Sequence, residues 1–435
     1  SAAGSTDINR ALLEASASAD AERPTYLIFL TDGLPTVGEM NTQRILDNFS
    51  STARSNLRLF AFGVGYDVDT ILLDSLAQKH QGASSYVRPG EALDEILSGF
   101  YAKISTPLLT DLQLDFGKIT AYDIYPNPLP DLFRGSQIVV VGRYRDGGTA
   151  DITLTGLVNN EPQTFRYTNQ VFARDNRGES ASLTAIPRLW ATRKIGTLLN
   201  QVRLQGADQE TIDQIVKLSI RYGIVTPYTS YLVTEPQTLG AANQERIAED
   251  QFNQIMRTPT APSSGQAAVE KAAGQEALSE AEAPAAAPAD AANQIRIVGS
   301  RTFVLSDGIW TDTTFDPEKL KTTPIAFLSP DYFALAKAHP DLAAALALGE
   351  QVIVVFDGTA YQIVSSDTTT APVKVPTQIA PTEDSIPTQP IGIPTSQPTS
   401  SSGDSTSTPT SKSAPICAGV LIPLAVIALF KLLRR

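Results

Sequence analysis

The stretch TYLIFLTDGLPTVGE, residues 25–39, is an apolar run that stops abruptly at Thr31-Asp32-Gly33. So continuous a run of apolar residues fits a strand covered on both faces, as in a parallel sheet. Its ending has two readings. Asp-Gly is an ordinary turn dipeptide, or the strand is a stalk that holds the Asp32 carboxylate out to a ligand. Open α/β sheets bind ligands at that carboxyl edge of their strands.

The neighbouring sequence repeats the pattern. Leu57–Val64 is a second short apolar run bounded by turn residues, and polar helical stretches lie between. In GEALDEILSGFYAKIS, Leu93, Ile96, Leu97, Phe100, Tyr101 and Ile104 recur at threes and fours and mark one helix face. Residues 1–105 therefore predict an α/β unit with right-handed crossovers.

From Pro107 the period becomes two. DLQLDF, SQIVVVGRYR, ADITLTGLV and TFRYTNQVF read as antiparallel strands of a β-sandwich-like module, with Asp146-Gly147 as a hairpin turn. Two amphipathic helices complete the unit 106–256, one with Ile195, Leu198, Leu199 and Val202 on a face, the next with Ile212, Ile215, Val216 and Ile220. Residues 257–292 are rich in Ala, Pro and Glu and predict a solvated linker. Residues 293–366 predict a small α+β domain: two hairpins with Asp-Gly turns flank a short helix near Tyr332–Leu348.

Residues 367–413 are Ser, Thr and Pro, the composition of an extended stalk. The segment 414–435 carries an uncharged run of about 17 residues, the lower limit for a bilayer span, and ends in Lys431, Arg434 and Arg435. The expectation is a transmembrane anchor with its basic end cytoplasmic and the bulk of the chain outside. A C-terminal sorting signal is the alternative, with Cys417 as its processing or lipid-attachment residue. The chain begins at Ser1 without methionine or leader, so it is expected to be part of a longer protein.

Composition narrows the chemistry. A net charge of -12 argues against a nucleic-acid partner. One cysteine allows no intramolecular disulfide, and two histidines, His80 and His339, leave no histidine metal cluster and no general base for a nucleophile. His339, before Pro340, is expected on a surface helix. Gly63-x-Gly65 lacks the third glycine of a dinucleotide fingerprint, since position 68 is Val68. Nothing points to an enzyme. Thr6, in GSTDI, and Asp32 are two hard oxygen donors of the kind that bind Mg²⁺. Spacing alone favours the plainer alternative, an N-cap at Thr6 or Asp7 and a turn at Asp32.

GSTDINRALLEA, YLIFLTDGLPTVGE and RLFAFGVGYDVDTILLDSLAQKHQGASSYV resemble the C-terminal half of a von Willebrand factor type A domain. The form is that of inter-alpha-trypsin inhibitor heavy chains and their bacterial relatives. The resemblance continues through FYAKISTPLLTDLQLDF, YDIYPNPLPDLFRGSQIVVVGRY, IPRLWATRKIGTLLNQVRL and LSIRYGIVTPYTSYLV, and so covers roughly residues 1–235. It implies a metal-ion-dependent adhesion site for Mg²⁺, Mn²⁺ or Ca²⁺ in which Thr6 is the second-loop ligand and Asp32 the third-loop ligand. The first loop, Asp-x-Ser-x-Ser after a strand, has no counterpart here, because DSTST at 404–408 lies in the stalk. The implied function is surface-anchored adhesion, with an extracellular protein or matrix ligand bound through an acidic residue. A structural or assembly component of a prokaryotic envelope, with no metal-dependent ligand, is the competing expectation.

Overall fold

A computed structural model of the chain describes residues 5–173, 185–229, 241–257, 262–286 and 293–366, with 368 and 370. The first unit alternates α1 (Ile8–Ala17), β1 (Thr25–Thr31), α2 (Thr42–Thr52), β2 (Leu57–Val64), α3 (Thr70–Lys79), β3 (Ser84–Val87) and α4 (Leu93–Ile104). Its strands form a parallel sheet in the order β1-β2-β3, with Thr31 beside Gly63 and Val64 beside Val87. The α/β expectation for this region holds.

Strand β2 shows why it sits in the middle. Side chains alternate across a strand. Leu57, Leu59 and Ala61 enter one core with Ile8, Leu12, Ile45, Phe49, Leu72 and Leu76 of the helices. Phe60 and Phe62, on the other face, meet Phe100 of α4 at ring-centroid distances of 4.9 and 5.0 Å. Helices thus cover both faces, as an all-apolar parallel strand requires. Gly63-x-Gly65 is a tight turn: a Cβ on Gly63 would stand 2.9 Å from Val68, and Gly65 has φ +82°.

The β-module has β4 (Pro107–Asp115), β5 (Thr120–Tyr125), β6 (Leu132–Phe133), β7 (Val141–Arg145), β8 (Gly148–Val158) and β9 (Glu161–Phe172). One sheet runs β6-β4-β8-β9 and a second pairs β5 with β7. Asp146-Gly147 is therefore not a hairpin turn, because the strands it joins belong to different sheets. The hairpin is β8–β9, closed by Asn159 and Asn160 at φ 51° and 66°, the left-handed pair that matches strand twist.

Helices α5 (Ile186–Gln205) and α6 (Gln209–Tyr222) bury the faces their periodicity marks. Helix α7 (Ala241–Arg257) packs on α6 through Ile247 and Ala248. The Ala/Pro/Glu segment departs from expectation. Residues Gln266–Ser279 form α8, with Val269 and Ala272 fully buried. Small side chains allow this: the backbones come so close that a Cβ on Gly196 of α5 would lie 2.3 Å from the Ser279 amide nitrogen.

The small domain is β10 (Ile295–Val298), β11 (Arg301–Ser306), β12 (Ile309–Asp312), β13 (Thr322–Ala326), α9 (Pro330–Ala338), α10 (Pro340–Leu346), β14 (Val352–Phe356) and β15 (Thr359–Val364). Its sheet runs β10-β11-β12-β14-β15-β13. Asp307-Gly308 and Asp357-Gly358 turn its hairpins with positive φ at both residues. His339 is not on the surface: it is 7% exposed, between α9 and α10, with its ring 4.2 Å from that of Phe356. Among the described residues no helix is long and apolar enough to cross a membrane. The segment 414–435, with Cys417, and DSTST at 404–408 lie outside the described residues, as does the stalk apart from 368 and 370.

Candidate functional site

Two loops meet at the carboxyl edge of the parallel sheet. One leads into α1 and carries Thr6; the other leaves β1 and carries Asp32. Asp7, not Thr6, is the N-cap of α1, its carboxylate accepting from the Arg10 amide at 3.0 Å. Capping by Asp7 fixes where the helix begins and leaves Thr6 just outside it.

The loops are clasped together. The Thr6 amide donates to the Thr36 hydroxyl at 2.7 Å, and the Thr6 carbonyl accepts from the amides of Thr36 and Val37 at 2.9 and 3.3 Å. Gly38, at φ +71°, brings its backbone against Asp7, where a Cβ would stand 2.6 Å from a carboxylate oxygen. Residues 31–38 are therefore held to the start of α1. Within the turn, the Thr31 hydroxyl donates to the Gly33 carbonyl at 2.9 Å.

Against that scaffold the two expected ligands keep their donors free. Asp32 is exposed and Thr6 partly so, and among the described residues neither the Asp32 carboxylate nor the Thr6 hydroxyl has a hydrogen-bond or ion-pair partner. A buried structural aspartate is normally hydrogen-bonded; an exposed one at a strand tip is available. The pair fits a hard cation in donor chemistry but supplies one hydroxyl and one carboxylate, short of the six or more oxygens Mg²⁺ or Ca²⁺ takes. Among the described residues no three His, Cys, Asp or Glu side chains gather to hold a metal.

Thr36 and Gly38 are the positions sequence reading passed over, whereas Asp7 was one of the two N-cap candidates. Gly38 was a signal, since a glycine after β1 marks close backbone approach; Thr36 gave none. Two other features shape this edge. Leu34, Val37 and Met40 are exposed at 39%, 38% and 58%. Strand β1 has β2 on one side and no strand partner on the other among the described residues.

No family model matches the chain. It is 32% identical over 264 residues to human inter-alpha-trypsin inhibitor heavy chain H4, a match covering 57% of this chain and 28% of the relative. To the H3 heavy chain of Rattus norvegicus it is 30% identical over 255 residues, covering 55% and 28%. To the H2 heavy chain of Mesocricetus auratus it is 27% identical over 264 residues, covering 57% and 27%. Over somewhat more than half of its length the chain is thus similar to inter-alpha-trypsin inhibitor heavy chains, which supports a von Willebrand factor type A domain protein of the heavy chain-like kind. It spans less than a third of the length of these curated relatives. Overlays on solved structures are loose. The VWA2 paralog of ArnB from Sulfolobus acidocaldarius gives a TM-score of 0.30 at 16% identity, covering 59% of this chain and 70% of that one. A von Willebrand factor type A protein from Catenulispora acidiphila gives 0.33 at 16% identity, covering 65% and 71%.

Proposed function

We propose that this chain is the type A and stem portion of a surface-anchored adhesion or ligand-binding protein, with a divalent-cation site at the carboxyl edge of its parallel sheet. The observation that carries the reading is the clasp between Thr6 and Thr36. It fixes the loops of Thr6 and Asp32 side by side while leaving both side chains without partners among the described residues. A bound Mg²⁺ or Mn²⁺ would supply an open coordination position for an acidic side chain of an extracellular partner. Thr6 and Asp32 would supply two oxygens, and the edge of β1 that has no strand partner among the described residues would take a further parallel strand whose loop brings the rest. Thr36 and Asp7 act through the loops they hold.

Surface anchoring is part of the same proposal and rests on the apolar, basic-ended segment 414–435. The test uses the full-length protein on cells. Adhesion to an immobilised acidic ligand is expected in Mg²⁺, to be lost in EDTA, and to be lost on Asp32→Ala with surface display unchanged. External protease is expected to remove the described region from intact cells. Adhesion indifferent to EDTA and to Asp32 would favour the alternative of an envelope assembly component.

A further inference from the structure

Helix α8 reaches the type A unit through polar contacts as much as apolar ones. The Glu276 carboxylate accepts from the Ser84 amide of β3 at 3.1 Å and from its hydroxyl at 3.3 Å. In the same cluster Asp74 of α3 is ion-paired with Arg203 of α5 and accepts a hydrogen bond from the Tyr86 hydroxyl. Gln275 accepts from Arg203 Nε at 2.8 Å, and Nη1 of Arg203 is buried without a partner among the described residues. Lys271 of α8 and Glu280, its C-cap, are the other charged groups of this segment that act on the cluster. The segment just before α8 grips the turn between β2 and α3. There Gly265 donates its amide to the Tyr66 carbonyl at 2.8 Å, and Ser263 accepts from the Thr70 amide and hydroxyl at 2.8 and 2.9 Å.

We propose that residues 262–286 are a pH-sensitive strap, docked on the type A unit while Glu276 is a neutral acid and released from β3 and the β2–α3 turn when that carboxyl ionises. The geometry sets the reason. Nε and Nη2 of the cluster's guanidinium are engaged by Gln275, Asp74 and Asn200, and among the described residues none of its nitrogens is hydrogen-bonded to Glu276. An ionised Glu276, itself part-buried, would add a second carboxylate to the cluster that holds the buried Asp74, an arrangement that disfavours ionisation. Burial, then the charges of Glu280 and Asp74, push the Glu276 carboxyl well above the usual carboxylate range, against the pull of the Ser84 hydrogen bonds.

The sign follows from linkage. A carboxyl that holds its proton more tightly when docked favours docking most at low pH. Above the ordinary carboxyl value near about 4.3, docking weakens by up to about tenfold per pH unit until the raised value is passed. Release frees residues 65–70 at the edge that also carries Asp32, because β1 and β2 run parallel and side by side. The strap therefore couples pH to that edge whether or not a cation binds there.

Hydrogen exchange of the full chain, corrected for the intrinsic pH dependence of amides, tests this on peptides from 262–286. Protection in the wild type is expected to fall at least about tenfold between about pH 5 and about pH 8, with peptides from α6 unchanged. Glu276→Gln, which keeps an acceptor for Ser84, is expected to hold its protection across the range. Glu280→Gln, which leaves the Ser84 contact intact and removes a like charge, is expected to shrink the fall; it decides the matter if Glu276→Gln does not fold. Protection independent of pH in the wild type, or the same pH profile in the wild type and the folded variants, would overturn the proposal.

Discussion

Nε of Arg58, on β2, stands 3.2 Å from the carboxylate of Asp131 in the β-module, with both side chains buried at 2% and 6% exposure. Arg58 also donates to Asp111 at 2.5 Å and to the Ser55 carbonyl, and the Tyr26 hydroxyl donates to Asp131 at 3.1 Å. A guanidinium this enclosed is tolerable only when its donors are matched. The type A unit and the module are consequently joined by a buried polar lock rather than a hinge.

Breaking the lock from one side leaves a charge without its partner. Asp131→Ala is expected to lower stability by about 3–5 kcal/mol, the range for removing one member of a buried pair. Denaturant unfolding of the variant checks it, and a loss below about 1 kcal/mol would mean the pair is in effect solvated.

Close packing of α8 gives a second expectation. Gly196→Ala puts a methyl group into the Ser279 backbone, and overpacking of this kind typically costs about 1–3 kcal/mol. Limited proteolysis should leave 266–279 intact in the wild type and cut there early in the variant. Early cleavage in both would show that α8 is not docked in solution.

Acid stability should depend on Asp208, the N-cap of α6. Hydrogen bonds from the Thr211 hydroxyl and then its amide hold this carboxyl below its ordinary value. Its contribution is present above the unfolded-state value near about 3.9 and is lost as pH falls through the lowered one. Asp208→Ala is expected to cost about 1 kcal/mol at neutral pH and to flatten the acid limb of the stability profile below pH ~4. Melting curves at several pH values test both.

The clasp can be cut without touching a proposed ligand. Thr36→Val removes the acceptor of the Thr6 amide and is expected to cost about 1 kcal/mol while weakening any cation binding at this edge. Unchanged affinity would show that the loops do not need the clasp.

Much of this architecture was legible because burial and periodicity coincide. The unbroken apolar run of β2 and the one-sided faces of α5 and α6 each predict the burial found. Helix α8 was not legible. Its burial comes from alanine and from close approach of Ser279 to Gly196, 83 positions earlier in the chain, and no composition window senses that. Asp146-Gly147 misled for a related reason: a turn dipeptide specifies reversal, not which strand becomes the neighbour. His339 was misplaced because His-Pro reads as a helix boundary, while Phe356, which covers its ring, arrives from a later strand. At the candidate site the two proposed ligands were recognisable by resemblance, but the hydroxyl that clasps their loops is one threonine among many.

Calorimetric titration with Mg²⁺ and Mn²⁺ tests the central claim most directly. Residues 1–435 alone are predicted to bind weakly or not at all, because a hydroxyl and a carboxylate fill two of about six positions. A longer form that carries a strand and an Asp-x-Ser-x-Ser loop beside β1 is predicted to bind one cation saturably and to lose that binding on Asp32→Ala. Equal affinity of the longer protein with and without the Asp32 carboxylate would contradict the site.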